Sequence, residues 1–79
     1  MPRYFFDIHD GRIDRDEDGI ECADLQAAVL QAKKAVSSIA ATEVPKDGER
    51  HTFTVLVTDE TGQAVYLAAM TYTGTWLSR

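Results

Sequence analysis

The sequence is poor in the residues that most chemistry needs: one cysteine, Cys22, two histidines, one tryptophan and two prolines in 79 residues. A lone thiol excludes an internal disulfide and any zinc site built from several cysteines of this chain. That usage fits a reducing compartment, so a cytoplasmic location is expected. No apolar run approaches the roughly 18–20 residues of a membrane span. The opening "MPRYFFDIHDG" places Asp7 where a signal peptide needs an uninterrupted apolar core, so neither export nor membrane insertion is expected. The five glycines (Gly11, Gly19, Gly48, Gly62 and Gly74) stand singly, which leaves no phosphate-cradling loop.

Positive charge is also scarce, and the acid is concentrated. The net charge is −5. Residues 7–24 carry eight acids against Arg12 and Arg15, a balance of −6, and the remainder sums to +1. Such a field repels phosphate backbones and attracts cations or basic surfaces. The pairs Lys33–Lys34 and Lys46 with Arg50 are too sparse to reverse it, so nucleic-acid binding is not expected. Length allows one domain, residues 1–79, with 73–79 as a tail.

"RYFFDIH" alternates Tyr4, Phe6 and Ile8 with Arg3, Phe5, Asp7 and His9, the period of two of a strand. Asp10-Gly11 suits a tight hairpin turn into a short return strand around residues 12–15. From Asp24 the period becomes helical. Leu25, Ala28, Val29, Ala32, Ala35, Val36, Ile39 and Ala40 share one arc, Leu30 points away from it, and Asp24 suits the N-cap. Pro45 predicts an end near Thr42 or Glu43, because it disfavours helical geometry at Val44. "PKDGER" is turn chemistry. "HTFTVLVTD" and "QAVYLAAMTY", joined at "DETG", form the clearest hairpin, and the second arm is apolar on both faces. The expected fold is α+β: a small, mainly antiparallel sheet of three main strands plus a short one, packed on one amphipathic helix, in the order β-(β)-α-β-β.

The opening "MPRYFFDIHDG", then "DEDG", "ADLQAA" entering the helix, and "VTDETG" in the hairpin resemble a family of short bacterial proteins known only as a domain of unknown function. The likeness runs from Met1 to about Tyr72. It implies a recurring turn and helix start at Asp16, Gly19, Asp24 and Leu25, and it carries no activity or ligand that transfers.

"DRDEDGI" matches the first half of a calcium loop. Asp14, Asp16 and Asp18 alternate, Gly19 follows, and the carbonyl of Ile20 takes the seventh position. The second half fails, with Cys22 at position nine and Leu25 at position twelve, so a divalent-cation site is the alternative reading and an acidic turn the leading one. His9-Asp10 with His51 supplies too few ligands for a closed metal site, and both histidines are expected at strand ends. Cys22 precedes a helix N-terminus, a setting of reactive thiols, but Asp18, Glu21 and Asp24 oppose a thiolate and no general base is placed to help. One helix over one sheet leaves little room for a ligand pocket. No cofactor and no catalysis are expected.

A single helix covers one face of a sheet. Phe5, Leu56, Tyr66 and Met70, with Tyr72, are expected on the other face, partly covered by Trp76 and Leu77. The expected function is therefore a non-catalytic interaction or accessory module. It would contact a protein partner, or a second copy of itself, through the open sheet face or exposed edge strands.

Overall fold

The computed structural model describes residues 1–46 and 48–78. Asp47, within the expected "PKDGER" turn, and Arg79, in the expected tail, lie outside the described residues. The chain forms β1 (Arg3–His9), β2 (Ile13–Asp14), β3 (Ile20–Glu21), α1 (Leu25–Glu43), a 3-10 turn (Val44–Lys46), β4 (Arg50–Thr58) and β5 (Ala64–Thr73). The sheet order is β2-β1-β4-β5, with β3 pairing the same side of the sheet through β1, and every pairing is antiparallel. Helix α1 lies on one face, over β4 and β5. This is the expected small α+β fold, with β3 as an addition.

Asp24 starts the helix as expected. Its backbone is extended and its carboxylate accepts the Ala27 N–H at 2.8 Å, satisfying one of the free donors of the first turn. The buried row is Ala28, Ala32, Val36 and Ala40, spaced by four. Three alanines in that row let the helix lie close against Phe53, Val55 and Val57, the largest fully buried side chains. Extrapolated back by four, the row reaches Asp24, so Leu25 falls to its side and is 43% exposed, against the expected burial. The α-helix ends at Glu43, yet Val44 stays helical at φ −55, ψ −45 although Pro45 follows. The chain tightens into a 3-10 turn there, where the proline needs no N–H bond of its own.

Both hairpin turns need a glycine with positive φ. His9 pairs with Ile13, so the first loop holds three residues with Gly11 at φ 103, one more than the expected two-residue turn. In the second, Gly62 N–H donates to the Asp59 carbonyl at 3.0 Å with φ 86, a type I turn closed by a left-handed glycine.

Register assigns the faces, because directly paired residues share one. Phe6, Val55 and Val57 face α1 from β1 and β4. Phe5 pairs Thr58, Asp7 pairs Leu56, and Leu56 pairs Leu67, so Phe5 and Leu56 do lie on the face away from the helix. Tyr66 pairs Val57, Met70 pairs Phe53 and Tyr72 pairs His51, which puts all three on the helix side and corrects their expected place beside Leu56. Alternation fixes the two sets of β5 residues but not which set meets the helix. The turn length and the bulge beside Val57 and Thr58 decide that. Trp76 and Leu77 are 64% and 93% exposed, so the tail does not form the expected cover.

Candidate functional site

The two edges of the sheet are treated oppositely. Along the outer side of β1, β3 pairs Arg3 and Tyr4, and β2 pairs Ile8 and His9. Between them Phe6 N–H donates to Asp16 Oδ2 at 3.1 Å, so a carboxylate oxygen stands where a neighbouring strand's carbonyl would be. Asp16 Oδ1 also accepts the N–H groups of Asp18 at 3.2 Å and Gly19 at 3.0 Å, and Asp16 N–H donates to Asp7 Oδ1 at 3.0 Å. Arg3 fastens the same loop, donating to the Asp18 carbonyl at 2.8 Å and to Glu21 Oε2 at 2.9 Å. Gly19, at φ 74, packs so tightly that a Cβ there would lie 2.9 Å from the Tyr4 carbonyl oxygen.

The structure places each residue of the calcium-loop pattern. Both Asp16 oxygens are occupied by backbone donors, Asp14 belongs to β2, and Ile20 belongs to β3 with its carbonyl 3.7 Å from the Cys22 thiol. Among the described residues no three His, Cys, Asp or Glu side chains form a group that could hold a metal ion. The acidic motif is used as a turn and an edge cover.

The other candidates for chemistry do not converge either. Cys22 is buried, and its N–H donates to the Pro2 carbonyl at 2.9 Å. His9 pairs Thr54 on the open face. His51 stacks on Phe53 on the opposite face, with ring centroids 4.2 Å apart, and its Nε2 lies 3.2 Å from the Asp10 carbonyl. The hairpin acid Asp59 is held below its ordinary pKa, first by the Thr61 hydroxyl and then by the Gln63 N–H, both bonded to its Oδ1. This is turn chemistry as well.

The β5 edge is bare. Among the described residues no strand pairs its outer side. Its ten residues, "AVYLAAMTYT", contain no charge and no proline, and the bulge sits at the hairpin end, leaving residues 66–73 regular. Natural edges are normally blunted by charge, proline or a bulge within the strand, or by a covering loop such as the one on β1. An open groove of about 500 Å³ runs beside this edge, with Lys33, Val36 and Ser37 of α1 on one wall and residues 66–70 on the other. It is larger than the sequence suggested, but it is a trough along a strand with Lys33 as its one charged side chain. The adjoining flank of α1 carries an apolar patch of Leu25, Val29 and Leu30 beside Lys33. Trp76 sits elsewhere, lining a separate hollow with Glu49 and Tyr72 at the far end of the hairpin.

Of the expected contact residues, Phe5 and Leu56 share the open face, Tyr66 and Met70 border the groove, and Trp76 joins neither group. Sequence reasoning missed Leu67, which is 58% exposed at the edge, and the flank of α1. The available signal was an uncharged ten-residue strand together with a leucine, Leu30, outside the helical arc.

No helix among the described residues is long and apolar enough to cross a membrane. No curated protein and no solved structure matches the chain. Residues 3–71 match the family model of a domain of unknown function, DUF6894, and the chain belongs to that family.

Proposed function

We propose that this chain is a small non-catalytic module that docks a protein through the outer edge of β5 and the apolar flank of α1 beside it. One observation carries the reading. The fold spends a carboxylate, two short strands and an obligatory glycine on covering the edge of β1, and it leaves ten uncharged residues of β5 open. Free N–H and C=O groups along such an edge accept an added strand, with main-chain bonds giving affinity and flanking pockets giving selectivity. The absence of catalysis is supported by the burial of Cys22, the opposite faces of His9 and His51, and the backbone bonds that occupy Asp16 and Asp59.

The test is photocrosslinking of the full chain in its native cells, with benzoylphenylalanine at Leu67 or Met70 and, as control, at Glu60 in the hairpin turn. Protein adducts at Leu67 and Met70 exceeding those at Glu60 are expected. Equal labelling at all three sites removes the proposal.

A further inference from the structure

We infer that the occupant of this edge is a second copy of the chain, with β5 pairing antiparallel to β5 about a two-fold axis so that one sheet runs through both copies. The inference rests on the docking role proposed above and names its partner.

A two-fold contact places each patch against itself, so it tolerates only surfaces without concentrated charge of one sign. Strand β5 has no charged residue, whereas the segment beside β1 carries the balance of −6. Joining through β5 sends the two acidic segments to the far ends of the combined sheet, roughly 30 Å apart at normal strand spacing and well beyond the screening length of about 8 Å. A head-to-tail arrangement, β5 on β1, is blocked because β2, β3 and Asp16 already occupy the β1 edge.

The chain exposes 5584 Å², against about 4,800 Å² for a compact monomer of its 8.8 kDa. The termini contribute to the excess of about 800 Å² through Met1, Trp76 and Leu77, and the β5 edge contributes through Leu67 and Met70; each partner buries about that area in a standard interface. The radius of gyration, 14.4 Å, likewise exceeds the about 12 Å of a compact domain of this length.

Lys33 and Ser37 line the groove beside β5, and Leu30, one turn earlier on that flank, is 51% exposed. In the paired assembly the two α1 helices approach across the axis above the joined strands, which gives Leu30 and Met70 a place to be buried. The long stem of Lys33 carries its charge out to solvent at the rim. Pairing through the open face instead would stack Phe5, Leu56 and Leu67 and leave the β5 edge and Leu30 as they are.

Sedimentation equilibrium of the full chain over a concentration series distinguishes these arrangements. The wild type is expected at twice 8.8 kDa. The double variant Leu30→Lys/Met70→Lys, with both side chains on the helix side, is expected to raise the dissociation constant at least about 30-fold. Leu56→Lys, on the open face, is expected to leave it unchanged. Circular dichroism of each variant verifies folding, and hydrogen exchange should show outward β5 amides protected only in the self-associating forms. Dissociation by Leu56→Lys together with full association of the double variant overturns the inference in favour of face pairing. A wild type that is monomeric at millimolar concentration, yet crosslinks to a different protein through Leu67, overturns self-pairing and leaves the docking role standing. A monomer with no excess crosslinks at Leu67 and Met70 overturns both.

Discussion

Gly19→Ala isolates how tightly the acidic loop is pressed onto β1. Two costs add at this position. The backbone lies at φ 74, a left-handed geometry that costs an L-residue with a Cβ about 1–2 kcal/mol. The new Cβ would also stand 2.9 Å from Arg3 Cγ, Phe5 Cε2 and the Tyr4 carbonyl oxygen. The arginine stem can move aside, but the Tyr4 carbonyl belongs to a strand held by β3 and cannot yield cheaply. Overpacking of that kind adds about 1–3 kcal/mol, for a total near 2–5 kcal/mol. A 79-residue domain has roughly 4–12 kcal/mol in all, so the loss is large. Gly11→Ala and Gly62→Ala serve as controls, since both glycines have positive φ and nothing within 4 Å of a Cβ, leaving only the backbone cost of about 1–2 kcal/mol. Urea unfolding, with the slope unchanged across the three variants, measures the difference. If Gly19→Ala is no more destabilising than Gly11→Ala, the loop is not seated on β1 as described.

Asp16→Ala removes the acceptor of three backbone bonds and should destabilise by about 2–4 kcal/mol, whereas Asp16→Asn, which keeps one oxygen but sets an amide against the Phe6 N–H, should cost about 1–2 kcal/mol. Equal effects in denaturant melts would show that the bonds from Asp18 and Gly19 contribute nothing, and an Asp16→Asn variant as stable as the wild type would show the same of the Phe6 bond. Because the same oxygens are occupied, a calcium titration followed by NMR should give no saturable shifts in residues 14–24 at micromolar metal. Asp24→Ala, which loses the bond to the Ala27 N–H, should cost about 1 kcal/mol, and recovery with Asp24→Ser would tie that loss to capping. The pKa of Asp59 is depressed in the folded chain, so its contribution is present above its unfolded pKa and is lost as pH falls through the folded value. Thr61→Ala should therefore move the Asp59 titration, read by NMR, back toward the ordinary carboxylate range, and an unmoved curve would contradict the assigned cause.

Much of the backbone plan was legible because it rests on local rules. Asp24 and the four-residue spacing of Ala28 to Ala40 place α1. The strict alternation of "HTFTVLV" places β4, and glycines at turns place the hairpins. The two-residue strand β3 was not legible, since Ile20 and Glu21 are too few to show a period and owe their pairing to the loop folding back on β1. Asp16 was legible as a turn residue but not as the substitute for a strand, because that role needs Phe6 brought within reach from ten positions away. The faces of β5 were misread because Tyr66 and Met70 on one side and Leu67 on the other are equally apolar. Such a strand leaves its orientation to the turn and bulge that precede it. Edge strands were expected as a contact surface, but which edge stays open depends on β5 being the last strand of the sheet.

The bare β5 edge as a self-pairing surface is tested most directly by isotope-filtered NMR on a mixture of carbon-13-labelled and unlabelled chain. Self-pairing gives intermolecular Hα–Hα contacts within residues 66–73, with methyl contacts from Leu30. Intermolecular contacts that start from Phe5 and Leu56 and spare residues 66–73 would contradict it.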